Sequence, residues 1–155
     1  MEFDLAGNTP GTDQSRLNIT GPARLRGSIG VRWADGYLPE PGTDFPVMTF
    51  DSHKGEFCCL DNLLLLGHGR RLTPVYSSTN LTLATRTAPE PTTVPLRVTV
   101  DGDALVCWPA EFSGRELYWS TNLSQTNWTL LPGVTSHHLE TPPLVREKFY
   151  QLRNP

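Results

Sequence analysis

Four histidines, three cysteines and sixteen carboxylates are the side chains here best suited to chemistry, and their spacing decides what each can do. His137 and His138 are adjacent. On a strand, neighbouring side chains point to opposite faces, so the two cannot share one metal ion. His53 and His68 fall in separate glycine-containing turns, and neither has a second ligand at zinc-like spacing. Asp101 and Asp103 flank Gly102 in a turn and lack the remaining oxygen ligands of a calcium loop. Asp13, Asp35, Asp44 and Asp51 also read as turn residues. Glycoside cleavage needs two carboxyl groups at a fixed separation across a cleft, and nothing singles out such a pair. A Gly-x-Ser-x-Gly elbow is absent, and Gly27-Ser28-Ile29-Gly30 reads as strand. Gly67-His68-Gly69 lacks the helix that would make it a phosphate cradle. The expectation is a non-enzyme, with no catalytic, metal-binding or cofactor-binding residue and no cofactor.

Cys58, Cys59 and Cys107 are an odd number with a vicinal pair, which is not a disulfide framework. They read as small buried hydrophobes, Cys58 and Cys59 facing opposite ways, and a bridge from Cys107 to either one is left open. Asn18, Asn80, Asn122 and Asn127 stand in Asn-x-Ser/Thr sequons, which accept glycans in eukaryotic secreted proteins and also arise by composition in Thr-rich strands. Tyr118 and Trp119 alternate faces, so one of the rings can stand outside, where it could stack on a sugar; packing in the core is the plainer reading.

The elements that must position these groups are strands. The 155 residues are 37% hydrophobic and 19% charged, with 14 Pro and 13 Gly, which leaves little room for a helix of three turns. A net charge of −3 without a dense Lys/Arg run gives no support to nucleic-acid binding. No apolar run is long enough to span a bilayer as a helix. From Ala23 to Trp33, Ala23, Leu25, Gly27, Ile29, Val31 and Trp33 alternate with polar residues, the period of one long strand with its arginines outside. Leu17 with Ile19 makes a short strand. Phe45 to Phe50, Glu56 to Leu60, Leu63 to Leu66 and Asn80 to Ala84 follow. Turns fall at Ala34-Asp35-Gly36, Pro39-Glu40-Pro41-Gly42, His53-Lys54-Gly55 and Gly67-His68-Gly69.

One boundary is visible. Residues 87–94 form a Pro/Thr linker, extended and without apolar periodicity. It separates residues 1–86 from a small antiparallel β module at 95–155. The module opens with Leu96, Val98 and Val100, turns at Asp101-Gly102 as a type I′ hairpin, and returns along Ala104 to Trp108. Glu116 to Ser120, Trp128 to Leu131 and Phe149 to Leu152 are its other strands. Its core is expected to rest on Trp108, Trp119, Trp128 and Phe149.

Residues 1–86 carry Ser15-Arg16-Leu17-Asn18-Ile19-Thr20-Gly21, Leu25-Arg26-Gly27-Ser28-Ile29-Gly30-Val31, Gly36-Tyr37-Leu38-Pro39, Gly42-Thr43-Asp44-Phe45-Pro46-Val47, Gly55-Glu56-Phe57, and Tyr76 with Leu81-Thr82-Leu83. This order resembles the C-terminal end of the β-solenoid in large bacterial secreted proteins of the autotransporter-passenger type. Leu105-Val106-Cys107-Trp108-Pro109, Ser120-Thr121-Asn122-Leu123, Trp128 and Phe149-Tyr150-Gln151-Leu152-Arg153 resemble the small β module that often follows such solenoids. Cys58-Cys59 and Gln151 depart from the usual pattern. The resemblance implies an all-β fold, the capped end of a β-solenoid followed by a β-sandwich-like module. It implies a passenger or stalk with an adhesive role, outside the cell or on its surface. On this reading the chain is a fragment of a longer exported protein. The expected partners are the preceding repeats of the same polypeptide and a surface glycan or protein. The alternative is an accessory carbohydrate-binding region of a polysaccharide-degrading β-helix enzyme.

Overall fold

Apolar residues recurring at every second position build the buried strands of this chain, such as Glu2–Leu5 and Asn80–Thr87, and turns rich in Gly and Pro separate them. The computed structural model describes residues 1–34, 36–65, 67–89, 91–101, 103–124, 127–134, 138–141 and 148–155, with side chains at all of these except 100, 101, 103 and 138–141. The chain is all-β, 49% strand, and among the described residues there is no α-helix. No helix there is long and apolar enough to cross a membrane. Two units form, Met1–Glu90 and Pro91–Pro155.

In the first unit, β1 (Glu2–Leu5), β2 (Leu17–Asn18), β3 (Pro22–Arg24), β4 (Ser28–Trp33), β5 (Asp44–Thr49), β6 (Ser52–Lys54) and β7 (Cys59–Asp61) follow a simple order. Each strand lies parallel to the one three elements later. β1 pairs with β4, β2 with β5, β3 with β6 and β4 with β7. Like residues therefore stack. Phe3 lies beside Val31, Ile29 beside Leu60, and Asp4 beside Arg32, which ion-pair. Then the direction changes. β8 (Leu64–Leu65), β9 (Arg70–Tyr76) and β10 (Asn80–Thr87) are antiparallel, and β10 lies along the other edge of β5. The core gathers Phe3, Leu5, Ile29, Val31, Phe45, Val47, Leu81 and Leu83 from both sets of strands, with Trp33, Tyr37 and Tyr76 packed against it.

The single strand expected from Ala23 to Trp33 is two strands in different sheets, β3 beside β6 and β4 beside β1 and β7. Between them Gly27 takes φ 79°, and the chain turns a corner. Ala23, Leu25, Ile29 and Val31 are all buried across that corner, so the alternation survives it and hides it from the sequence. His53-Lys54, expected in a turn, instead belong to β6, because β3 offers them a parallel partner, Ala23 beside His53. The turn follows at Gly55, with φ 81°. Strand β9 was not among the expected strands; its Pro74 stands opposite Leu83 of β10 but turns its nitrogen to the other side, beyond the residues that β8 pairs. Proline is tolerated in a strand where its missing donor is not needed by a neighbour. Pro46, inside β5, sits opposite Thr82 next to a bulge.

The second unit holds two sheets. β11 (Arg97–Asp101), β12 (Asp103–Cys107) and β15 (His138–Thr141) form one; β14 (Thr129–Leu130), β13 (Glu116–Ser120) and β16 (Phe149–Arg153) form the other. A short 3-10 turn, Ala110–Phe112, follows β12. The β11–β12 hairpin is present with Val100 opposite Ala104 and Asp101 opposite Asp103. A two-residue type I′ turn at Asp101-Gly102 would put Val100 opposite Asp103, so that turn assignment is corrected; Gly102 lies outside the described residues, as do Asp35, Leu66 and His137. The core also differs from expectation. Val106, Trp108 and Leu117 form its centre, with Val94, Leu96, Phe112, Leu131, Tyr150 and Leu152 around them. Trp119, Trp128 and Phe149 are only half-buried. On β13, Leu117 occupies the inward position and leaves Trp119 toward the strand end, while Trp128 precedes β14 and reaches the outer face.

Candidate interaction face of the second unit

On β13 Leu117 is fully buried, and its neighbours Glu116 and Tyr118, half-buried, point the other way. The register aligns this outer face across three strands. Leu130 of β14 and Gln151 of β16 stand opposite Tyr118, and Arg153 stands opposite Glu116. The Tyr118 hydroxyl donates to Glu116 Oε2 at 2.8 Å. The Arg153 guanidinium lies over the Tyr118 ring, its Cζ 4.4 Å from the centroid, and 6.0 Å from the centroid of Trp128. Arg153 Nη2 also donates to Gln151 Oε1 at 3.1 Å. Leu130 is 41% exposed at the margin. Nearby, Lys148 Nζ lies 5.0 Å above the Trp119 ring.

This is a set of rings and hydrogen-bonding groups held in place by one another. Cation–π contact is stronger for Arg and Lys over Trp and Tyr, and here it fixes long side chains that would otherwise rotate freely. The Glu116 hydrogen bond holds the Tyr118 phenol above its ordinary pKa; partial burial adds to this, and Arg153 opposes it. A phenol kept protonated is a hydrogen-bond donor and a poor base. The chemistry of the face is therefore recognition: apolar ring surface bordered by one carboxylate, one amide and one guanidinium.

The His53 ring packs between Phe50 and Tyr76, with centroids at 5.1 and 5.7 Å, and its Nδ1 lies 3.2 Å from Gly55 O. His68 is exposed in a turn. Asp44 starts β5 and ion-pairs with Arg86 at 3.5 Å. Cys58, Cys59 and Cys107 are all buried. Cys58 and Cys59 both donate their amides to Gly27 O, and both side chains are buried, as expected of small hydrophobes. Among the described residues of each unit taken by itself, no three His, Cys, Asp or Glu side chains converge. Asn18, Asn122 and Asn127 are exposed and Asn80 is half-buried. Trp128 and Arg153 were not expected to meet. The alternation of β16 places Gln151 and Arg153 on one face, but only the three-strand register brings Trp128 to them. Comparison with protein-family models, with curated proteins and with solved structures finds no match.

Proposed function

We propose that this chain is a non-catalytic structural and interaction region of a larger secreted or cell-surface protein. In this reading residues 1–86 are the capped end of a β-solenoid and residues 95–155 a small appended β module. One observation carries it: the pairing of β1 with β4, β2 with β5 and β3 with β6. A chain that coils produces this order, each turn laid parallel on the last. The reading gains support at both ends of the stack. β1, β2 and β3 are all edge strands; Leu17 and Asn18 of β2 are exposed, and β2 and β3 leave edge donors and acceptors to a preceding turn, while the outer edge of β1 is met in part by Ser15, whose N donates to Asp4 O. At the other end antiparallel β10 covers β5, the kind of reversal that stops a stack from recruiting further strands. The partners are then the preceding repeats of the same polypeptide, and through the second unit a surface glycan or protein.

The test is to express the protein from its complete reading frame beside the 155-residue chain and compare amide exchange in β1, β2 and β3. The reading expects slow exchange in the longer protein and fast exchange in the chain alone. Equal exchange in both would count against it. The alternative, an accessory carbohydrate-binding region of a polysaccharide-degrading β-helix enzyme, is favoured by the Tyr118–Trp128 face, and clear release of reducing ends from polysaccharide by the chain would shift the balance to it.

A further inference from the structure

The outer face of the β14–β13–β16 sheet carries more than a fold needs. Tyr118 and Trp128 stand outside the core cluster of Val106, Trp108 and Leu117, which closes without them. Burying the rings inward would stabilise the unit more, since an aromatic side chain can bury on the order of 150–250 Å². Instead the rings share one guanidinium on the outside. Around them the face is balanced in charge: Glu116 carries one negative charge and Arg153 one positive, opposite each other in register. Gln151 adds a neutral amide, and the Tyr118 phenol stays protonated.

We infer that this face binds neutral glycan, one sugar ring packing against Trp128 and the outer side of the stacked Arg153–Tyr118 pair, and its hydroxyls exchanging hydrogen bonds with Glu116, Gln151 and Arg153. This rests on the interaction-region reading above and names the ligand class for it. The chemistry selects the ligand. A sugar ring offers an apolar face of C–H groups and a rim of hydroxyls that both donate and accept. The site offers ring surface, one acceptor that cannot donate, one donor that cannot accept, and one group that does both. Glu116 and Arg153 cancel, so the face offers no net charge that would favour an acidic or a cationic glycan over a neutral one. The groups are also held before binding, Tyr118 by Glu116 and Arg153 by Gln151 and the rings, so little side-chain freedom is lost.

The experiment is calorimetric titration of the whole 155-residue chain with neutral hexasaccharides (cello-, xylo-, manno- and N-acetylchito-) and with hexagalacturonate as the acidic counterpart. At least one neutral series is expected to bind, with affinity nearly independent of salt. Trp128→Ala and Tyr118→Ala are expected to weaken that binding about tenfold or more. Trp128→Phe, which keeps a ring, retains most of it, and unchanged circular dichroism shows that the variants fold. No binding at millimolar sugar, preference for hexagalacturonate, or binding untouched by Trp128→Ala overturns the inference. So does a dimer seen by sedimentation that Trp128→Ala dissolves, since the face then belongs to a second copy. Release of shorter sugars during the titration would instead overturn the non-catalytic reading while leaving the site intact.

Discussion

At the scale of single residues, Gly55 is fixed by a backbone geometry that side chains rarely adopt. Gly55 adopts φ 81°, and a Cβ placed there would stand 2.5 Å from the carbonyl oxygen of Leu25. Gly55→Ala is expected to lower stability by at least about 2 kcal/mol, read as a lower urea midpoint with unchanged slope. An unchanged midpoint would mean that β6 does not turn where described. Asp4 accepts a hydrogen bond from Arg32, which holds its carboxyl below the ordinary value. A lowered folded pKa stabilises above the unfolded value and is lost as pH falls through the folded one. The stability gap between the native chain and Asp4→Asn should therefore be present at neutral pH and close below about pH 4. Tyr118 has the opposite sign: its raised pKa favours the folded state until pH rises through it, above the usual value of about 10. Glu116→Gln should bring the Tyr118 titration, followed by the NMR shift of its Cζ, down toward the ordinary value. The alternation of Phe149–Arg153 makes the outward direction of Arg153 legible in the sequence. Its contact with Trp128 is not, because that depends on strands far apart in the chain.

At the scale of elements, strands β5, β10, β13 and β16 follow from apolar alternation with breaks at Gly and Pro. Alternation reports the face of a side chain, and it stays in phase around a corner such as Gly27, so β3 and β4 read as one strand. Proline inside β9 masks a strand whose donor at that position is not required. Conversely, β5 is the element on which both halves of the first unit close: β2 lies along one side, β10 along the other, and Phe45 is fully buried beneath them. Phe45→Ala should cost about 3–5 kcal/mol, measured by chemical denaturation. Loss of less than about 1 kcal/mol would place Phe45 outside the core.

At the scale of the whole molecule, the boundary between the units falls at Glu90 and Pro91, within the Pro/Thr segment. The segment is not purely a spacer. Thr87 ends β10, and Val94 packs on the core of the second unit. The all-β class is legible from composition, since dense Gly and Pro exclude long helices. The parallel order of β1 to β7 is not, because pairing between strands leaves no periodic trace within either one. That order is the central claim, and amide hydrogen exchange on the 155-residue chain tests it most directly. The account predicts that in the first unit the amides of β4, β5 and β10, paired on both sides, exchange slowest, while those of β2 exchange at least about a hundredfold faster. Equal protection of β2 and β5, or fast exchange throughout β4, would contradict it.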